Sequence, residues 1–466
     1  MNKKNSLANL AIWYTVGNFM LKGINFFTLP LFTRLLSTSD YGVTAIYTTW
    51  SGMFAIFIGL GINGTIGSAK ANLVDEEYSE YLSSTMFLST ISFLSILFIA
   101  IIFNKKLSIM LGLNSFLCII MIIQSFFNFV ISFMSAVYTF DKEPKKYLIL
   151  SSITTIFNII ISILWINCLT IDKYLGKIYG GAIVIIVIGF ILYLNILFKG
   201  KKLISKKYWI YCLPIAIPII FHNLSHLILN QADRVMLQKW GNDSIVGIYS
   251  FTYNIGIILN VINMSINSAW VAWYFDALKE NKIQDIEEKA KIYILIFTTI
   301  TGMFLLVSPE VIKILAPMEY WDGITLLPLI IVGYYFVFLY TFAVNYEFYK
   351  KSTIFIALGT IIAAIINIFV NIILIPYIGM NGAAISTLVA YFILFIMHEF
   401  IVRIIFKHKD FPFYYYIYSL ITITITISII YVFLNNFIVR WGSMIFALIV
   451  LGLIILKTYK SRDVDN

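Results

Sequence analysis

From residue 10 to residue 457 the chain is a succession of apolar stretches, most of them about twenty residues or longer, joined by short polar links. Such a stretch is too long for a barrel strand, which needs ~10 alternating residues. It suits a helix that crosses ~30 Å of hydrocarbon. Fourteen stretches fit: 10–34, 41–67, 82–103, 109–139, 147–169, 178–198, 209–236, 245–273, 291–308, 324–348, 353–375, 381–405, 412–434 and 438–457. The predicted class is all-α, a polytopic membrane protein with about fourteen transmembrane helices.

Composition agrees. Apolar residues make up 60% of the chain and charged residues 12%, whereas an ordinary soluble domain has roughly 45–50% and about 25%. This excludes a soluble globular, a disordered or a disulfide-framework protein. Cys118, Cys168 and Cys212 sit in or beside apolar runs, with spacing that suits neither a zinc site nor a redox pair. The net charge of +10 reads as loop lysines on a membrane protein, and no nucleic-acid partner is expected. Lys3 and Lys4 precede the first apolar stretch without a small-residue cleavage site, so no cleavable leader is expected.

The links test the topology. With the N-terminus inside, cytoplasmic segments hold Lys142, Lys145 and Lys146, Lys199 to Lys207, Lys279 to Lys291, and Lys350 with Lys351. Outer links hold few basic residues, among them Arg34, Lys177 and Arg440. Inner lysines and arginines outnumber outer ones by roughly three to one, which predicts that both termini are cytoplasmic. The longest link, 274–290, is short and mixed in charge. A membrane polymerase or ligase would need more room outside the bilayer for its catalytic groups. Gly176-Lys177 lacks the glycine spacing of a phosphate-binding loop. The expectation is a transporter, not an enzyme, with no catalytic residues, no metal and no cofactor.

The two halves echo each other at an offset near 200 residues. Arg34 corresponds to Arg234, Gly42 to Gly247, Lys145-Lys146 to Lys350-Lys351, and Gly181-Ala182 to Gly382-Ala383. Six helices per half is an even number, so both halves enter the membrane in one orientation, with a substrate site expected between them. The expected organisation is two pseudo-symmetric six-helix lobes, 1–200 and 201–408, followed by two further helices and a cytoplasmic tail in 409–466.

Polar residues recur at helical spacing inside apolar stretches, where they are expensive unless they face a bundle interior or a cavity. The first stretch carries Asn18, Lys22 and Asn25; the fourth Gln124 and Asn128; the seventh His222, His226, Asn230 and Asp233, followed by Arg234. The eighth carries Asn260 and Asn263, and the eleventh Asn367 and Asn371. Each stripe has two readings, a cavity lining or a hydrogen-bonded seam between helices. For the Asn367 and Asn371 pair the seam is favoured. Lys22 lies too deep for easy snorkelling and is read as a ligand contact. His222 and His226 have a zinc-like spacing without an evident third ligand. Asp233 either neutralises Arg234 or Lys22, or carries a coupling proton or sodium ion. Lys22, Arg34, Arg234, His222 and His226 together give a cationic lining suited to a diphosphate. The asparagines suit sugar hydroxyls. Pro30, Pro214 and Pro218 are expected to bend the first helix of each half.

Four segments carry a resemblance. Thr33-Arg34-Leu35-Leu36-Ser37-Thr38-Ser39-Asp40-Tyr41-Gly42, Gly59-Leu60-Gly61-Ile62-Asn63, Ala232-Asp233-Arg234 with Val246-Gly247-Ile248-Tyr249-Ser250, and Asn371 to Ala384 are similar to signatures of the Wzx-type oligosaccharide flippases. That family belongs to the superfamily of multidrug, oligosaccharidyl-lipid and polysaccharide exporters. The resemblance spans residues 1 to about 405. It implies two six-helix lobes, alternating access, and movement of undecaprenyl-diphosphate-linked repeat units from the cytoplasmic to the outer leaflet for O-antigen, capsule or exopolysaccharide. A polysaccharide polymerase and a chain-length regulator are the implied partners, with membrane lipids. Few acidic residues fall within the helices, a departure that bears on H+ or Na+ coupling. The rivals are an ion-coupled multidrug exporter of the same fold, a lipid II flippase, and a membrane polysaccharide polymerase or ligase.

Overall fold

The computed structural model describes residues 17, 23, 24, 26–409 and 412–464, without the side chains of 451 and 453–464. Among the described residues there is no strand. Eleven of the described helices are long and apolar enough to cross a membrane, and two shorter apolar ones cover Phe26–Leu35 and Phe437–Val450. The chain is an all-α polytopic membrane protein. It divides into two compact units, 1–247 and 248–466.

The first unit begins with α1 (Phe26–Leu35) and α2 (Thr38–Gly59), joined by a tight cap. Ser37 Oγ accepts from the Asp40 amide at 3.1 Å, and Asp40 Oδ2 accepts from the Ser37 amide at 3.2 Å, a reciprocal arrangement that satisfies two donors at a helix start. The second expected span, 41–67, is interrupted. Leu60 and Gly61 are left-handed, and a short 3-10 turn leads into α3 (Ile66–Asn72). The reason is a crossing: a Cβ on Gly61 would lie 2.4 Å from the carbonyl oxygen of Ala216. The fourth expected span is likewise divided at Gly112 (φ 63°), into α5 (Asn104–Leu111) and α6 (Ser115–Phe140). Between them, α4 (Asp75–Ile102) opens with Asp75, Glu76 and Glu77, which suit the positive end of its dipole.

α7 (Pro144–Cys168) and α8 (Lys173–Gly200) run antiparallel in close contact. A Cβ on Gly176 would meet the Ile166 amide at 2.6 Å, and one on Gly180 would meet Ser162 Cα at 2.6 Å. Two glycines four apart let the backbones approach, as small residues do between membrane helices. Gly176-Lys177 thus belongs to a packing motif.

α9 (Lys206–Trp240) continues through Pro214 and Pro218. By contact it belongs to the first unit, not with the residues after 248. Tyr211 OH bonds Ser68 Oγ at 2.7 Å, Tyr208 OH donates to Glu80 at 2.9 Å, and Trp209 Nε1 donates to the Ser84 carbonyl at 3.1 Å. The compact division therefore falls at 247, after the expected lobe boundary at 200. The repeat-based lobes 1–200 and 201–408, and the 409–466 extension, are a proposal about the duplication.

α10 (Asp243–Lys279) leads into the second unit, which holds α11 (Ile283–Leu315), α12 (Gly323–Tyr349) and α13 (Thr353–Phe400). α12 is its centre, buried on nearly every side from Leu326 to Glu347. α13 is a hairpin. Ile378 and Gly379 leave the helical region, Gly379 at φ 54°. The two arms are then sewn together: Asn367 Nδ2 donates to Thr387 Oγ1 at 3.3 Å, and Ser386 Oγ donates to Asn371 Oδ1 at 2.8 Å. These arms are the eleventh and twelfth expected spans, and the Asn367 and Asn371 pair is the seam the sequence favoured. A π-turn (Ile401–Ile405) ends the second arm. α14 (Tyr414–Val432) and α15 (Phe437–Val464) dock on α11. Arg440, expected in an outer link, is buried: it makes a two-pronged ion pair with Glu310 of α11 and donates to the Leu306 carbonyl at 2.8 Å.

Candidate functional site

The polar face of α9 is the best-formed candidate. His222, His226, Asn230 and Arg234 follow at four-residue spacing and so share one face. Asn230 Nδ2 donates to the His226 carbonyl at 2.7 Å and lies 3.4 Å from its Nδ1. Arg234 Nη1 donates to the Asn230 carbonyl at 2.7 Å. Both imidazoles are exposed on the helix surface, whereas Arg234 and Asp233 are buried. Asp233 Oδ1 accepts from the Arg234 amide at 3.0 Å and lies 3.7 Å from its guanidinium. A buried aspartate beside a buried arginine offsets part of its charge, and a guanidinium is the planar fork of donors that matches phosphate geometry.

Arg34 ends α1, exposed, with Nη1 donating to the Pro30 carbonyl at 3.0 Å. Asn18, Lys22 and Asn25 lie outside the described residues. Asn260 is half-buried and Asn263 buried on α10 in the second unit, and Asn263 Oδ1 has no hydrogen-bond partner among the described residues.

Gln124 and Asn128 are occupied differently. Tyr47 OH donates to Gln124 Oε1 at 2.7 Å, and Asn128 Nδ2 donates to Ser51 Oγ at 3.3 Å. With Ser51 and Ser125 hydroxyls 3.1 Å apart, this stripe of α6 faces α2 and forms a hydrogen-bonded seam.

Sequence reasoning passed over several charged groups. Lys177 Nζ lies 4.5 Å from the ring centroids of both Phe32 and Tyr41, with no carboxylate at ion-pair distance among the described residues. In the second unit, Glu347 pairs with His398, and Glu399 pairs with Arg403. Lone acidic residues in the apolar runs 324–348 and 381–405 were the signal there. Among the described residues no group of three or more His, Cys, Asp or Glu side chains is placed to hold a metal.

Comparison with known proteins follows from this geometry. A family model described as polysaccharide biosynthesis protein matches residues 7–277. An uncharacterised membrane protein of Haemophilus influenzae is 25% identical over 79% of this chain and 92% of its own length. The Lsg locus putative protein 1 of the same organism is 23% identical over 82% and 96%. Among solved structures, the lipid II flippase MurJ in an inward closed conformation aligns with a TM-score of 0.77 at 17% identity, over 96% of this chain and 99% of that one. A multidrug resistance MATE family transporter of the MOP superfamily aligns at 0.65 and 15% identity, over 84% and 96%. These structures share the fold.

Proposed function

The chain belongs to the polysaccharide biosynthesis protein family, and from that premise we propose that it is a flippase for lipid-linked oligosaccharides. It moves undecaprenyl-diphosphate-linked repeat units from the cytoplasmic to the outer leaflet of a bacterial inner membrane, by alternating access. O-antigen, capsule or exopolysaccharide is assembled from the product by a polymerase and a chain-length regulator. The observation that carries this reading is the combination of that family with a fold matched along nearly its whole length by a lipid II flippase.

Arg234 and Arg34 contact the diphosphate, with Lys22 on the first helix. Arginine keeps its charge at any working pH and grips phosphate with two donors. His222, His226 and Asn230, with Asn18, Asn25, Asn260 and Asn263, offer hydrogen bonds to sugar hydroxyls. Gln124 and Asn128 are assigned instead to the seam with α2. Asp233 holds Arg234 in place and is the candidate for carrying an H+ or Na+.

The test is the fate of lipid-linked repeat units in a deletion strain. Loss of surface polymer with units accumulating on the inner leaflet supports the reading. Accumulation on the outer leaflet overturns it and points to a polymerase or ligase. Normal polymer with altered sensitivity to cationic drugs points to a multidrug exporter, a reading favoured by the MATE-like fold.

A further inference from the structure

Three buried or half-buried carboxylates on helices of the second unit sit against basic partners, and they differ in one respect. Both oxygens of Glu310 are taken by Arg440. Both oxygens of Glu399 are also taken, one by Arg403 Nε and one by Tyr416 OH at 2.8 Å. Arginine does not release its proton, so these pairs are fixed. Glu347 is different. Its side chain is 0% exposed, its Oε1 lies 2.8 Å from His398 Nδ1, and its Oε2 has no hydrogen-bond partner among the described residues. Its partner among the described residues is an imidazole, itself 1% exposed, a group that can take up or release a proton where a guanidinium does not.

We propose that Glu347 and His398 form a proton-binding site. The pair holds one proton between Oε1 and Nδ1 while α12 and the second arm of α13 are packed together. The proton enters from water and returns to water when the packing loosens. Charge counting gives the stoichiometry. With one proton the pair is net neutral, whichever atom carries it. With none, a carboxylate with an orphaned oxygen is left buried. With two, an imidazolium is left buried beside a neutral acid. Either lone charge costs several kcal/mol when removed from water, so each disfavours the packed arrangement.

The surroundings leave the pair to itself. Tyr340 of α12 places its ring 5.7 Å from that of His398. From the second arm and the π-turn come Glu399 and Arg403, which pair with each other, and from α14 comes Tyr416, bonded to Glu399. Lys350 and Lys351, exposed in the turn after α12, lie one helical turn beyond Glu347. Across the hairpin, the first arm presents Gly359. A Cβ there would lie 2.6 Å from His398 Nε2, so only a glycine leaves room for the ring. The turn of exposed lysines lies on the side that charge bias assigns to the cytoplasm.

This inference goes beyond the flippase reading and does not depend on it, because proton binding is measurable without a transport substrate. Full-length protein in lipid nanodiscs would be stepped through pH while infrared difference spectra are recorded. The expected wild-type spectrum has a protonated carboxyl band that exchanges with a carboxylate band. Glu347→Gln removes that exchange. His398→Gln retains the band but moves its midpoint by about one pH unit or more, the size of a lost charged or hydrogen-bonded neighbour. Identical spectra from wild type and Glu347→Gln would overturn the proposal, as would a midpoint indifferent to His398→Gln. If Glu347→Gln fails to fold, the comparison of wild type with His398→Gln and His398→Asn decides by the same midpoint.

Discussion

Gly42 of α2 and Gly247 of α10 face each other in a reciprocal contact. A Cβ on Gly42 would lie 1.8 Å from the Asp243 carbonyl oxygen, and a Cβ on Gly247 would lie 1.9 Å from the Thr38 carbonyl oxygen. These two glycines are also the positions that the proposed internal repeat aligns. Each obstacle is a backbone atom, which no side-chain rotation can clear. Gly42→Ala is therefore expected to push the helix starts apart and destabilise by about 1–3 kcal/mol, the usual cost of overpacking. Gly247→Ala should do the same, and the double variant should cost less than the sum because one separation relieves both clashes. Thermal unfolding in detergent measures this. A wild-type melting temperature in Gly42→Ala would contradict the contact.

The same contact offers a lock. Thr38 Oγ1 and Ser244 Oγ are 2.7 Å apart, so cysteines at both positions can approach disulfide geometry. Exposed Cys168 would first be replaced by serine. Thr38→Cys with Ser244→Cys is expected to cross-link under mild oxidant. If these helix starts separate during export, surface polymer falls on oxidation and recovers on reduction. Unchanged polymer from fully cross-linked protein would show that the contact stays closed throughout the cycle.

Gln124 separates the seam from the cavity lining. Its Oε1 is the acceptor for Tyr47 OH, and Gln124→Leu leaves that hydroxyl unsatisfied, at a cost of about 1–3 kcal/mol. Adding Tyr47→Phe removes the orphan and should restore most of the stability. Export per folded molecule should change little in either variant. A large export defect with an unchanged melting temperature would return Gln124 to the lumen.

The spans were legible because apolar length alone specifies a membrane helix, and the turn at Gly379 was legible as the gap between the apolar runs 353–375 and 381–405. What each polar stripe faces was not legible. Gln124 and His226 look alike in sequence, yet one meets Tyr47 and the other lies exposed on α9. The placement of α9 was also hidden, since it depends on Tyr208 and Tyr211 reaching α4 and the segment after α2. Glu347 and His398 are 51 residues apart, in separate apolar runs, and only the folding of α13 against α12 brings them together. The three polar residues of the first stretch, Asn18, Lys22 and Asn25, lie outside the described residues, so their part of the site rests on sequence.

Arg440 was assigned by sequence to an outer link because it stands near the start of its apolar run. In the structure it ties α15 to α11 through Glu310, at 2% exposure. Arg440→Met leaves Glu310 without its cation and is expected to cost about 3–5 kcal/mol, the cost of breaking a buried pair from one side. Glu310→Leu alone should be similarly damaging, since it leaves the Arg440 guanidinium buried without its carboxylate. Combining Arg440→Met with Glu310→Leu should recover much of the loss, since an apolar pair has no charge to desolvate. Unfolding curves of the four proteins give the coupling directly. Additive losses would mean that the two side chains do not act as a pair.

His408, in the link after α13, gives the fold a pH dependence that can be signed. Its ring stacks on Tyr346, with centroids 3.8 Å apart and planes 9° from parallel. Burial pushes its pKa down from the ordinary 6.5 to about 4, and the positive charges of Lys350 and Arg403 add to the effect. The unfolded chain protonates this imidazole near 6.5, whereas the folded chain holds it neutral until about 4. Between those values the unfolded state binds more protons, so stability is full above pH 6.5 and declines as pH falls toward 4. The expected result is a melting temperature lower at pH 5 than at pH 7. His408→Phe keeps a ring on Tyr346 and removes the titration, so its melting temperature should fall less over that interval. Equal falls in the two proteins would place the acid sensitivity elsewhere.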